Sequence, residues 1–351
     1  MGQQEGGLPV RAARGGHHAR ARRPLLSMNY RRLGKTGLVV SEIGFGAWGI
    51  GGRTAAETSY GDTDDATSLA ALRRALERGI TFFDTSAAYG DGHSEELIGQ
   101  AVKGKRGQVV IATKAGYDSW ERPPDFSPAG IVASTERSLR RLGTDYVDLL
   151  QLHNPPAAAL AATEVREAIQ RLIDRGKIRA WGVSGKGPQE ALEAVRSAGA
   201  PVVQANFNMM DLRAIDCGLM AEAIRADTGF IARTPLCFGF LSGTIHHATR
   251  FAAGDHRARW PRAQIVNWIE GAGELLSALS AAPGREGAQA ALRFCLAFPA
   301  ISSTIPGILT PEEADQDAAA SSLGALPDEA VKAVLAINRS RRFFVSPAQA
   351  G

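Results

Sequence analysis

From residue 35 onward the chain switches repeatedly between short apolar runs and longer stretches in which apolar residues return every third or fourth position. Runs of the first kind are strands and stretches of the second are amphipathic helices; their regular alternation is the pattern of a parallel sheet covered by helices. Eight strands are predicted, at residues 40–47, 80–84, 109–114, 147–153, 178–184, 202–208, 230–236 and 301–306. Helix punctuation falls between them. Asp64 and Asp65 open a helix over 66–78 that Gly79 stops, and Thr163 opens another over 164–175 ahead of Gly176. In the first, Leu69, Leu72 and Leu76 make an inward stripe while Arg73, Arg74 and Glu77 face solvent.

Eight such units close most naturally into a barrel, because closure removes both sheet edges and gives every helix a strand layer to cover. The rival is an open, doubly wound sheet. The expected fold is therefore α/β: a (β/α)8 TIM barrel over residues 28–345 as one domain, with an N-terminal β-hairpin and extra C-terminal helices. The hairpin is predicted over residues 30–39, around Gly34-Lys35-Thr36-Gly37, at the bottom of the barrel. Residues 237–283 read as irregular, and an excursion after a barrel strand is where a lid over substrate would sit. A last helix is expected over 328–340.

Composition narrows the class. The 351 residues are 44% hydrophobic and 22% charged, and no run approaches the ~20 apolar residues that span a bilayer. The net charge of +4 is concentrated in the first 27 residues, where five arginines stand against Glu5. The body is thus close to neutral, and the pI near 9.1 gives no reason to expect nucleic acid. That tail has neither a secretory apolar stretch nor a helical stripe, so it is expected to be a disordered basic tail, and Met28 reads as a natural start. An Arg-rich transit peptide is the competing reading. Cys217, Cys237 and Cys295 show no pairing pattern, and His17-His18 and His246-His247 show no metal spacing, which predicts a cytoplasmic protein without a structural metal.

Chemistry gathers at the strand ends. The second, third and fourth strands stop on Asp84, Lys114 and His153, and Tyr89 follows five residues after Asp84. In a barrel all carboxyl ends open on one face, so the four converge. Reduction of a carbonyl leaves negative charge on oxygen, and a proton donor must meet it; an ordinary tyrosine, near pKa 10, is too weak an acid unless helped. An adjacent ammonium favours the phenolate, and a carboxylate keeps that ammonium charged. Tyr89, Lys114 and Asp84 suit those parts, and a neutral His153 can polarise the carbonyl. Singly, each has a plainer reading, as a structural ion pair or a packed loop aromatic.

The ordered segments Gly44-Phe45-Gly46-Ala47-Trp48, Phe83-Asp84-Thr85-Ser86-Ala87-Ala88-Tyr89-Gly90 with Ser94-Glu95, Ala112-Thr113-Lys114, Leu150-Gln151-Leu152-His153, Gly182-Val183-Ser184 and Ile305-Pro306-Gly307 resemble the aldo-keto reductase family over residues 28–340. The resemblance implies a nicotinamide cofactor bound at the carboxyl ends of the strands and the catalytic set Asp84, Tyr89, Lys114 and His153. Gly44 to Gly49 also matches G-x-G-x-x-G, but loop-like residues follow it instead of a helix, so the dinucleotide fingerprint is rejected. The resemblance instead sets Gly46, Ala47 and Trp48 by the nicotinamide and the substrate mouth.

Further cofactor contacts are implied at Asp84, Ser184, Gln204, Arg233, Pro235, Leu236, Gly239, Leu241, Pro306, Gly307, Glu313, Gln316 and Asp317. Gly185 stands where the family often has Asn, and Arg233 where many members stack a tyrosine; a guanidinium there can stack or reach the pyrophosphate. NADP(H) is the family default. Residues 308–317 hold four acids and no base, however, which points to relaxed or NAD(H)-leaning use, because a carboxylate repels a 2′-phosphate and suits a 2′-hydroxyl.

Substrate contacts are expected from Trp48, Tyr89, Trp120 and His153, with Phe251, Asp255, His256, Arg257 and Trp260 closing over them. The partner is a small carbonyl compound, sugar or alcohol, with no nucleic acid or membrane, and nothing in the sequence bears on oligomeric state. Two alternatives stay open: a cofactor-binding sensing subunit with slow turnover, of the kind that associates with channels, and a Schiff-base role for Lys114.

Overall fold

The structure, a computed structural model, describes residues 27–345 apart from Glu57; the tail expected to be disordered lies outside the described residues, save Ser27. Strands β1 (Tyr30–Arg32) and β2 (Val39–Ser41) form the hairpin, antiparallel, with Tyr30 opposite Ser41. The barrel strands follow as β3 (Phe45–Gly46), β4 (Phe82–Asp84), β5 (Val110–Ala115), β6 (Val147–His153), β7 (Ile178–Ser184), β8 (Val202–Asn206), β9 (Gly229–Arg233) and β10 (Ile301–Ile305). All eight pair in parallel with their neighbours in sequence order, and bridges from Ile43 to Thr304 and from Gly46 to Gly307 bring the two ends of the sheet together.

Helix α1 (Asp65–Glu77) follows β3, α2 (His93–Ala101) follows β4, and α3 (Pro128–Leu142) follows β5. After β6 come α4 (Ala157–Ala161) and α5 (Thr163–Asp174), after β7 comes α6 (Pro188–Ala198), and after β8 come α7 (Arg213–Asp216) and α8 (Leu219–Arg225). The chain then adds α9 (Arg262–Ala278) and α10 (Arg285–Leu296) beyond β9, and α11 (Pro311–Leu323) and α12 (Asp328–Ser340) beyond β10.

Three expectations need correction. The run at 40–47 is not one strand: its first half pairs in the hairpin and its second half is barrel strand β3, with Ser41 turned inward to accept from the amides of Thr81 and Phe82 at the break. The segment 237–283 is not irregular throughout, because Ile265, Trp268, Ala272, Leu275 and Leu276 bury one face of α9. Finally, Arg74 does not simply face solvent; its guanidinium pairs with Asp315 of α11 at 2.7 Å.

Period-two alternation explains how the barrel positions its chemistry. Phe82, Ala112, Leu149, Val202 and Ile231 point into the barrel and fill its lower part together with Leu33, Leu38 and Val40 of the hairpin. Two residues further along the same inward rows stand Asp84, Lys114, Gln151, Gln204 and Arg233, and Gln151 is followed in its row by His153. The floor is apolar and the rim polar. Alternate residues such as Phe83, Ile111 and Leu150 point outward into the helix layer.

Candidate active site

At the rim, the inward side chains meet. Lys114 Nζ donates to Asp84 Oδ1 at 2.6 Å, to the carbonyl oxygen of Thr85 at 2.8 Å and to the phenolic oxygen of Tyr89 at 3.1 Å. All three ammonium protons therefore have acceptors. Lys114 has no solvent exposure, and burial by itself pushes its pKa down, but the Asp84 carboxylate and Tyr89 outweigh that and the net direction is up. An imine-forming amine needs the opposite shift, and Lys114 does not line the cavity, so the geometry gives the Schiff-base reading no support.

The other oxygen of Asp84, Oδ2, accepts from Gln151 Nε2 at 2.9 Å and from Gln204 Nε2 at 2.7 Å. Tyr89 and His153 lie edge to face with ring centroids 6.1 Å apart. His153 Nδ1 is 3.3 Å from the hydroxyl of Ser86, which leaves Nε2 for a ligand. Burial first, then the positive charges of Lys114 and Arg233, hold the His153 pKa well below its ordinary value, so the imidazole is neutral at neutral pH.

Of these groups Asp84, Tyr89, His153 and Gln204 face a cavity of about 850 Å³, also lined by Gly46, Ala47 and Trp48, by Trp120, and by Pro235, Leu236, Gly239 and Gly307. It is near the upper end of the ~300–1,000 Å³ of ligand pockets and larger than a small aldehyde needs. Gly46 has a steric reason: a Cβ there would stand 2.7 Å from the Pro306 carbonyl oxygen, where the barrel closes. Four predicted site residues do not line the cavity. Leu241 is packed in the core, Pro306 lies behind Gly307, Lys114 sits behind Tyr89, and Ser184 is buried beneath Arg233.

Arg233 lines the cavity but is heavily committed to the protein. It donates to Asn206 Oδ1 at 2.6 Å, to the Ser184 hydroxyl at 3.0 Å, and to the carbonyls of Gly185 and Lys186 at 2.7 and 2.9 Å. Burial lowers its pKa. It thus clamps the ends of β7, β8 and β9. Asp255 and Arg257 are likewise spent on each other, at 2.7 Å; Arg257 also stacks on Tyr60 and Phe251. The expected covering segment bridges to the loop after β3 through Ser59 and Asp255, and His256 packs on Trp48 and Tyr60.

The four acids of residues 308–317 have different fates. Glu312 is exposed, and Asp315 is paired with Arg74 and Arg78. Glu313 closes the capping box of α11, accepting from the amides of Leu309 and Thr310, yet still reaches the cavity wall. Asp317 also lines the cavity; its Oδ1 is buried without a partner, and burial followed by the charge of Glu313 raises its pKa well above the usual carboxylate value. Only two of the four acids therefore bear on a ligand, with Gln316 between them. Sequence reasoning missed Tyr60, Asn206 and Gln151; of these, only Gln151 had a signal, its place two residues before His153 on an inward row.

Comparison with known proteins bears on this arrangement. The sequence profile of the Aldo/keto reductase family matches residues 42–339. An aldo-keto reductase of Bacillus subtilis (YhdN) is 37% identical over 69% of this chain and 72% of its own length. A probable voltage-gated potassium channel subunit beta of Arabidopsis thaliana is 31% identical over 80% of this chain and 87% of its own. An NADH-specific methylglyoxal reductase of Escherichia coli is 32% identical over 61% and 69%. Among solved structures, the holo form of a Bacillus halodurans aldo-keto reductase superposes with a TM-score of 0.72 at 25% identity, covering 89% of this chain and 96% of that one. The glycerol dehydrogenase of Gluconobacter oxydans also gives 0.72, at 27% identity over 91% and 98%.

Proposed function

Because this chain belongs to the Aldo/keto reductase family, we propose that it interconverts an aldehyde, ketone or sugar and the corresponding alcohol with a nicotinamide cofactor, Tyr89 serving as acid in reduction and base in oxidation. The observation that carries this reading is Lys114 Nζ held between Asp84 Oδ1 and the Tyr89 hydroxyl, at 2.6 and 3.1 Å, beside a cavity shared by Tyr89 and His153.

When bound, the cofactor supplies or accepts the hydride at the carbonyl carbon. Tyr89 gives its phenolic proton to the oxygen that gains charge, and takes a proton from the alcohol in the reverse direction. Lys114, already donating to the phenolic oxygen, stabilises the phenolate left behind, and the buried Asp84 balances the buried ammonium. Neutral His153, with Nδ1 toward Ser86, donates from Nε2 to the substrate oxygen and fixes its direction.

The residues present fit a dinucleotide. The cavity volume allows one, and the unpartnered Oδ1 of Asp317 on its wall is a polar atom without an internal use. Gly46, Ala47, Trp48, Asp84, Gln204, Arg233, Pro235, Leu236, Gly239, Gly307, Glu313, Gln316 and Asp317 would hold it, with Ser184, Leu241 and Pro306 supporting from behind. Arg233 and Arg257 are the cations on the cavity wall, and both are bonded to protein groups. Among the described residues lining the cavity, no base stands with Glu313, Gln316 and Asp317 to receive a 2′-phosphate, so NADH is the favoured cofactor and NADPH the weaker one.

We place the protein in the cytoplasm on its unpaired cysteine pattern. Similarity to the potassium channel subunit supports, as a second reading, a cofactor sensor with slow turnover. A single assay separates these: consumption of NADH and NADPH with 4-nitrobenzaldehyde, by the protein and by Tyr89→Phe. The expected result is turnover favouring NADH and a fall of roughly 10²-fold or more in the variant. Equal rates in the two proteins would remove Tyr89 from its role, a strong NADPH preference would refute the cofactor assignment, and tight cofactor binding without turnover would favour the sensor.

A further inference from the structure

Gln151 is completely buried on the inward row of β6, two residues before His153, and it does not line the cavity. A buried amide inside a barrel is costly unless every polar atom has a use. Here both ends have one. Its Nε2 donates to Asp84 Oδ2 at 2.9 Å, and its Oε1 accepts from Gln204 Nε2 at 3.1 Å. Gln204 Nε2 donates in turn to the same Asp84 Oδ2 at 2.7 Å, and the Ser184 hydroxyl, which accepts from Arg233, lies 3.5 Å from Gln204 Oε1.

We infer that Gln151 is a positioning residue of the proton-transfer site: with Gln204 it fixes Asp84 by one carboxylate oxygen so that the other stays on Lys114, and it links the cofactor-facing Gln204 and Arg233 to Tyr89. The inference rests on the reductase reading. Two amide donors on Oδ2 draw charge away from Oδ1. The Lys114 ammonium is then only partly neutralised by Asp84 and keeps positive charge for the Tyr89 oxygen. Without the Gln151 amide, Asp84 binds Lys114 more strongly and the phenolate is less favoured. The charged or titratable groups that face this pair are Tyr89 after β4, His153 on β6 and Arg233 on β9; β7 and β8 present the neutral Ser184 and Gln204.

The test uses the full chain, with Gln151→Leu and Gln151→Glu. The second keeps the size of the side chain and donates only while protonated, so it serves if the apolar variant folds poorly. Measured are kcat against pH in both directions, NADH affinity by fluorescence titration, and the ultraviolet titration of tyrosinate in each protein relative to its Tyr89→Phe counterpart. For Gln151→Leu, kcat should fall about tenfold, with the loss in kcat and not in NADH affinity. The midpoint of the alcohol-oxidation profile and the tyrosinate titration should both move to higher pH, by roughly half a unit to one unit. Gln151→Glu should lose more as pH rises. A fall in kcat with unmoved midpoints in both variants would mean a merely structural residue and overturn the inference. Absence of reduction by the unaltered protein strikes the reductase reading itself.

Discussion

Asp317 stores an internal conflict in one residue. It is 1% exposed, its Oδ1 has no hydrogen-bond partner, and Glu313 lies close enough to raise its proton affinity further. Burial is the larger cause and Glu313 the smaller, and both favour the neutral acid. Because the folded-state pKa is raised, folding costs nothing on this account below the unfolded value of about 4. The cost grows as pH rises towards the folded value, since the unfolded chain then ionises freely. Asp317→Asn, the same size and never charged, should therefore raise the melting temperature of the cofactor-free protein at about pH 8 and leave it nearly unchanged at about pH 4. Thermal melts at the two pH values check this. An equal gain at both would mean that the carboxyl is not held neutral by its surroundings. His153 is the mirror case: a base kept neutral by burial and then by Lys114 and Arg233, it would serve in the proposed reaction as a donor to the substrate oxygen without titrating near neutral pH.

At the scale of elements, much was legible. The buried strands read directly as apolar runs ending on polar residues, and β4 to β10 lie where those runs predicted. Two features escaped for physical reasons. The break between β2 and β3 is invisible in composition, since Val39–Ser41 and Phe45–Gly46 are both β-prone; what separates them is pairing, one with the hairpin and one with β4. Helix α9 was hidden because its helical stripe begins only at Ile265, after a stretch of Gly, Pro and Arg. The converging side chains could be named from strand ends, but the Gln151 and Gln204 amides on Asp84 could not, because which inward residues touch across the barrel depends on register.

The closure at β3 is a close backbone contact. A Cβ at Gly46 would approach the carbonyl oxygens of Pro306 and Ile305 at 2.7 and 2.9 Å, backbone atoms that cannot turn aside. Gly273, within α9, would meet nothing within 4 Å. Gly46→Ala should cost about 1–3 kcal/mol, while Gly273→Ala should gain about 0.5–1 kcal/mol from helix propensity. Chemical denaturation of the two variants compares them, and a neutral Gly46→Ala would show that the barrel seam is looser than it looks.

For the molecule as a whole, the hairpin does more than cover the bottom of the barrel; it ties the first and last parts of the chain. Arg31 donates to the Leu296 and Ile301 carbonyls at 2.9 and 3.0 Å, at the end of α10 and the start of β10, and pairs with Glu42 at 2.8 Å. Glu42, almost fully buried between β2 and β3, also accepts from Ser321 of α11 at 2.7 Å and from Asn29 at 3.1 Å. One carboxylate and one guanidinium thus join the hairpin, the seam strands and two helices. Removing Arg31 strands a buried carboxylate and two carbonyls. Breaking a fully buried pair costs ~3–5 kcal/mol, but Arg31 keeps 27% of its side-chain exposure, so water can partly replace it and about 2 kcal/mol is the reasonable expectation for Arg31→Ala. Because the lost contacts span the closure of the barrel, the loss should appear in global unfolding: the urea midpoint falls in far-ultraviolet circular dichroism and tryptophan fluorescence alike, with an unchanged slope. A fluorescence transition that stays put while only the hairpin loosens would show that the seam holds without it.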